Sequence, residues 1–318
     1  MKRLAIVGAV LGALAVGTVT VPAVADASAQ AAATGTMMAW RGAGPDSLIW
    51  WSQLDGNTWS GQQPLTDRRT GAAPALARVA GDREVVMAWR GVGADNHVWW
   101  SRFNGTSWSP PQQLNDRRTD LAPALGLDAA GRLVMAWRGT GPDDHIWWSQ
   151  FTGAGWSGQQ QLADRRTDAA PALGRAANGQ LVMAWRGVGA DNHVWWSRFN
   201  GTSWSPQQPV TDRRTDFTPA LGTNAAGQLV MAWRGVGPDS LIWWSRFTGS
   251  GWEPQQPLTD RRTDGAPALA SHPTGVLAMA WRGTGADNHV SWSRMSGGTW
   301  LPQQPLNDRR TDLAPALG

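Results

Sequence analysis

Gln180-Leu-Val-Met-Ala-Trp-Arg-Gly187, Val188-Gly-Ala-Asp-Asn192 and His193-Val-Trp-Trp-Ser-Arg-Phe199 follow one another directly. The two apolar runs are too short for packed helices and are bounded by Gly and Asn, so each reads as a strand. Asn200-Gly201 is the dipeptide of a tight hairpin turn. Ser203-Trp204 then opens a further strand, expected to run through Gln207-Gln208. Asp212-Arg-Arg-Thr-Asp216 reads as a charged loop, and Thr218-Pro-Ala-Leu-Gly222 as a short fourth strand closed by the turn Asn224-Ala-Ala-Gly227. No stretch shows helical periodicity bounded by caps.

Working outward, the unit repeats. The Trp of Met-Ala-Trp-Arg-Gly recurs at Trp40, Trp89, Trp137, Trp185, Trp233 and Trp281, spaced by 49 once and then by 48. Repeats start near residues 36, 84, 132, 180, 228 and 276. Four short strands in about 40–50 residues are the signature of a propeller blade. Strands apolar on both faces fit blades packed against a neighbour on each side. The first copy lacks the Pro-Ala-Leu strand before Met38, whereas the chain ends on an orphan, Leu313-Ala-Pro-Ala-Leu-Gly318. The expected fold is therefore all-β, a six-bladed β-propeller of four-stranded blades over 30–318. The C-terminal strand Ala314–Leu317 is expected to pair with Met38–Arg41, closing the ring and removing a bare sheet edge.

Composition narrows the function. Of 318 residues 23 are Trp, with no Tyr and no Cys; Lys2 is the only Lys, and Glu84 and Glu253 are the only Glu. The formal net charge of +4 includes Lys2 and Arg3. A nucleic-acid partner calls for a stronger and more clustered positive excess, so none is expected. Met1-Lys2-Arg3, the apolar run Leu4 to Val21 and the small-residue site Ala23-Val24-Ala25 read as a secretory signal within residues 1–29, which implies an extracellular protein with no membrane span after cleavage. A membrane anchor is the other reading of that run. With no Cys, stability rests on packing rather than disulfides.

The stretch Arg132-Leu-Val-Met-Ala-Trp-Arg-Gly-Thr-Gly-Pro-Asp-Asp-His-Ile-Trp-Trp-Ser-Gln-Phe-Thr-Gly-Ala-Gly-Trp-Ser-Gly158 resembles the bacterial β-propeller lectin repeat of the Photorhabdus lectin type. The likeness extends over all six copies. It implies a secreted lectin whose partners are glycans, fucose-like or methylated sugars held between blades. A second resemblance, of Ser52-Gln-Leu-Asp55-Gly-Asn-Thr-Trp59 to the Asp-box of sialidases, implies a structural turn. Sialidases use a Tyr nucleophile, and this chain has no Tyr.

Within a four-stranded blade, the loop between the second and third strands lies on the same face as the link to the next blade. The Arg-Gly-x-Gly-x-Asp and Asp-Arg-Arg-Thr-Asp segments should therefore gather on one face. Asp191, His193 and Trp195 are spaced by two, so in an extended strand they point to one side. Together they could bind a sugar, the ring stacking on its apolar face while Asp and His hydrogen-bond its hydroxyls. Three copies hold the complete triplet: Asp95, His97 and Trp99 in the second, Asp143, His145 and Trp147 in the third, and Asp191, His193 and Trp195 in the fourth. The first and fifth copies keep Trp50 and Trp243 but have Leu48 and Leu241 for His, and the sixth has Ser291 for Trp. The alternative is that this Trp packs between blades; its neighbour, such as Trp196, points the other way into the core. The Asp-Arg-Arg-Thr-Asp pairs read either as clamps between blades or as an Arg-lined rim for anionic glycans. Gly189-Ala-Asp191 reads as a plain turn, and neither metal nor cofactor is expected. Asn104-Gly-Thr106 and Asn200-Gly-Thr202 match a glycosylation sequon, though the hairpin alone explains Asn-Gly. No copy holds a unique nucleophile or acid–base cluster. The expected function is a secreted, multivalent, non-catalytic carbohydrate-binding protein. A protein-binding or matrix scaffold is the first alternative, and a sialidase-like glycan-processing enzyme a distant one.

Overall fold

A computed structural model describes residues 35–79, 84–153, 155–272 and 274–318. The expected leader, 1–29, lies outside them. Six antiparallel sheets form the blades. In the fourth, the strands run outward from the axis as Ala172–Arg175, Leu181–Arg186, His193–Phe199 and Gln208–Arg214. The innermost strands contact one another all the way around the ring.

Period-two alternation explains the assembly. On Leu181–Arg186, Leu181, Met183 and Trp185 face the third blade and pack with Ala136, Ile146 and Trp148. Val182 and Ala184 face the fifth blade and pack with Leu229, Met231 and Trp233. Every strand of this kind is thus buried on both sides, and the hydrophobic core is six clusters, one per interface. The innermost strands approach so closely that a Cβ on Gly174 would lie 2.5 Å from Leu221 Cβ, which only glycine avoids.

Ring closure follows the expected overlap. Ala316–Leu317 pairs with Met37–Arg41, with Met38 opposite Leu317 and Ala39 opposite Ala316. The pairing is shorter than the anticipated four residues, but it supplies the first blade's missing inner strand.

The outer strand differs from the expectation. Asp212-Arg213-Arg214 is not a loop but the end of the strand Gln208–Arg214. Ser203-Trp204 makes only an isolated bridge, Trp204 with Phe199, in place of a strand. The strand is bulged: its pairing jumps from Val194 opposite Val210 to His193 opposite Arg214, and across that bulge Arg213 turns inward and is buried while Asp212 and Arg214 face solvent. A charged triplet can be a strand when one of its members has a built partner across the interface.

Candidate functional site

The two segments expected on one face do meet there. The Asp168 carboxylate, at the end of the link from blade three to blade four, accepts the Gly189 N–H and pairs with Arg186 at 3.1 Å. Those bonds outweigh partial burial and hold the Asp168 carboxyl below the usual range. The same capping bond recurs from Asp120 to Gly141 and from Asp312 to Gly44, the last across the ring closure.

The structure brings each Asp, His and Trp triplet together as the spacing implies. Asp191 Oδ1 accepts the His193 backbone N–H and lies 2.8 Å from His193 Nδ1, while Oδ2 accepts the Trp195 indole N–H at 2.8 Å. In the second blade His97 Nδ1 lies 2.8 Å from Asp95 Oδ1, and the Trp99 indole N–H donates to Asp95 Oδ2. In the third, His145 Nδ1 lies 2.8 Å from Asp143 Oδ1, and the Trp147 indole N–H donates to Asp143 Oδ2. Asp46 and Asp239 retain the indole bond to Trp50 and Trp243 without a His. The carboxylate folds back because residue 187 is Gly; a Cβ there would lie 2.4 Å from Asp191 Oδ2. Partial burial raises the carboxyl pKa of Asp95, Asp143 and Asp191, but the hydrogen bonds from His and Trp prevail and the net direction is downward.

This geometry differs from the expectation that Asp and His turn jointly outward to a sugar. His97, His145 and His193 each commit Nδ1 to the neighbouring carboxylate, which leaves Nε2 as the ring atom for a ligand. Most of the accepting capacity of Asp95, Asp143 and Asp191 is likewise spent within the triplet. The physical reason is proximity: residues two apart on one side of a strand reach each other before they reach a ligand. The His97, His145 and His193 side chains are 20%, 21% and 27% exposed, each set beside its Asp rather than standing free. The five Trp rings at this position are half-buried, each packed against an interface cluster: Trp99, Trp147 and Trp195 of the complete triplets, and Trp50 and Trp243 of the copies without His. Trp196, the other member of its pair, is core at 3% exposure.

A second repeated feature lies at the outer rim, and no triplet residue lines it. Between blades three and four runs a groove of about 420 Å³, walled by Trp148, Gln161, Leu162 and Asp164 on one side and Ser203 and Trp204 on the other. Its counterparts between blades four and five and between five and six measure about 360 and 530 Å³. Trp148 and Trp204 meet edge to face at 83°, with centroids 6.2 Å apart. That perpendicular pairing recurs at all six interfaces. The indole N–H of Trp204 is buried with no oxygen or nitrogen acceptor, as are its five equivalents, and a perpendicular aromatic neighbour is the setting in which such an N–H meets a π face.

Beneath the groove sits the clamp. Arg165 donates to the Ser205 carbonyl of the next blade and lies 5.9 Å from the Trp185 ring centroid. Arg68, Arg117, Arg213, Arg261 and Arg309 do the same to their own neighbours. Burial lowers the pKa of each of the six guanidinium groups, against the opposing pull of the preceding Asp. Gln207 Nε2 adds a bond back to the Asp164 carbonyl at 2.7 Å. Of the two readings of the Asp-Arg-Arg segment, the first Arg is a clamp between blades. The groove above it was not anticipated residue by residue. Its sequence signal is a Gln and an Asp four residues apart on every outer strand, as in Gln160 and Asp164.

No helix among the described residues is long and apolar enough to cross a membrane, and no cluster of His, Cys, Asp or Glu among them could hold a metal ion.

No protein-family model matches the chain, and neither does any curated protein. Solved structures do. The chain is similar to AofleA from Arthrobotrys oligospora, with TM-score 0.65 and 13% identity over 90% of this chain and 87% of that one. It is similar to a point mutant of Aleuria aurantia lectin in complex with alpha-methyl-L-fucoside, with TM-score 0.60 and 14% identity over 85% and 94%. It is also similar to the NanB sialidase from Streptococcus pneumoniae, with TM-score 0.58 and 9% identity over 86% and 66%. At these identities the likeness establishes a shared fold.

Proposed function

We propose that the protein is an exported, non-catalytic propeller that binds carbohydrate at several equivalent sites. The observation that carries this is the repeated groove between blades. Each of these grooves combines an aromatic ring with an exposed carboxylate, an amide and a hydroxyl, as in Trp204, Asp164, Gln160 and Ser203. A saccharide presents C–H faces and hydroxyls, the complement of such a wall. The fucoside in the Aleuria lectin supports a fucose-like or methylated ligand, as does the propeller-lectin resemblance. The triplets centred on Trp99, Trp147 and Trp195 are a second surface, favoured by half-buried rings beside the partly exposed His97, His145 and His193. Catalysis is not expected, because the chain has no Tyr or Cys and every polar cluster described above recurs from blade to blade. Export rests on the leader within residues 1–29.

A screen against immobilised glycans tests the reading. It compares the wild type with a groove variant (Asp164→Asn, Asp212→Asn and Asp260→Asn together) and a triplet variant (Trp99→Ala, Trp147→Ala and Trp195→Ala together). Retention of fucosylated glycans, weakened by the groove substitutions with an unchanged melting temperature, is the expected result. Absence of glycan binding, or capture of protein ligands only, would refute it. Loss in the triplet variant alone, with its fold intact, would move the sites to the triplets.

A further inference from the structure

We propose that the wide end of the central channel is a separate site, one per molecule, for a small hydroxylated carboxylate of uronic-acid size. The inner strands enclose a cavity of about 660 Å³ there. Its floor is the ring Leu76, Leu125, Leu173, Leu221, Leu269 and Leu317, which also lines the smaller cavity of about 160 Å³ at the other end and so closes the channel.

Two residues beyond those leucines the repeat loses its symmetry. Leu stands in every copy of the floor, but the mouth above it carries Arg78, Leu127, Arg175, Thr223 and Ser271. A ring of near-identical blades thus presents an asymmetric opening at the one place a single ligand would sit. Two guanidinium groups line the cavity and no Asp or Glu side chain does. Gly318, the last residue of the sequence, also lines it, but from the first blade, opposite the fourth blade that carries Arg175.

Arg78 donates to the Gly35 carbonyl. Arg175 is exposed and makes only long backbone bonds, Nε to Gly179 at 3.4 Å and Nη2 to Ala129 at 3.3 Å. Its Nη1 has no protein acceptor among the described residues. The wall that holds Arg175 is built: Thr223 Oγ1 donates to the Arg175 carbonyl, and Ser271 Oγ donates to the Thr223 carbonyl at 2.7 Å. Those hydroxyls strap the inner strands of blades four, five and six at the mouth. Low-dielectric walls concentrate the field of an unneutralised cation. A carboxylate can take both edges of the guanidinium, hydroxyls can reach Asn178 beside it, and the apolar face of the ligand rests on the leucines.

Titration of the full chain with D-glucuronate, using D-glucose as the neutral match and alpha-methyl-L-fucoside as a control, tests the proposal. One equivalent of glucuronate should bind, more weakly at high salt, and glucose should not. Arg175→Gln should weaken glucuronate by about tenfold or more, the loss of a charge-assisted bond, while leaving fucoside binding as it was. Leu127→Arg, which adds a cation to the same ring, should tighten it and serves as the test if Arg175→Gln fails to fold. Absence of saturable glucuronate binding, equal binding of glucose, or indifference to both substitutions would overturn the site. None of those outcomes bears on the rim grooves, so the two readings fail separately.

Discussion

Arg165 carries a charge into the interface between two blades, where a smaller apolar residue would avoid desolvation. It persists because the partner is fixed: the Ser205 carbonyl accepts from it and the Trp185 ring lies beneath it. Removing one partner of such a pair leaves a carbonyl unpaired and a cavity. Arg165→Ala is expected to destabilise by about 2–4 kcal/mol, and Arg165→Met, which keeps the volume, by clearly less; urea unfolding of both variants measures the difference. The triplet aspartates bear on pH. Their folded pKa values lie below the unfolded one, so the stability they contribute is present above about pH 4 and is lost as pH falls through the folded values. Melting temperature should therefore drop in acid, and Asp191→Asn should flatten that limb; a pH series on both proteins checks it. The spacing of Asp191, His193 and Trp195 made their common side legible. That Asp191 is occupied by its own neighbours, as Asp95 is by His97 and Asp143 by His145, was not. Spacing fixes direction and not which donor reaches which acceptor.

At the scale of elements, the outer strand shows where sequence reading loses its grip. Alternation in Leu181–Arg186 is written in apolar residues and reads directly. In Gln208–Arg214 a bulge breaks the alternation, the inward members Val210 and Arg213 lie three apart, and the second is an Arg whose partner belongs to another blade. Nothing local marks Arg213 as buried and Arg214 as exposed. The closing strand was legible for the opposite reason: a missing piece at one end of the array matched a surplus piece at the other. Gly318 exchanges both backbone hydrogen bonds with Met37, and Leu317 packs with Met38 and Trp40. Deleting residues 312–318 should strip that edge and cost several kcal/mol. Differential scanning calorimetry of the truncated chain would show a markedly lower melting temperature; an unchanged one would mean that closure contributes nothing.

Across the whole molecule, repetition organises function. The clamp and the perpendicular Trp pair occur at all six interfaces, so a ligand that fits one groove meets near-copies of it around the rim. Weak equivalent sites gain strength on surfaces that display many ligands, and this suits a glycan-coated target better than a soluble monosaccharide. The number of blades and the charged face were plain in the sequence. The grooves were not, because each is formed by two repeats, whereas a repeat is read one copy at a time. Symmetry also separates the readings, since the complete triplets number three, at Trp99, Trp147 and Trp195, and the interfaces number six. Counting bound alpha-methyl-L-fucoside by native mass spectrometry during titration tests the central claim most directly. Stepwise filling beyond three equivalents toward six is expected, with similar affinities at each step. Saturation at one equivalent, or no fucoside bound at any concentration, would contradict it.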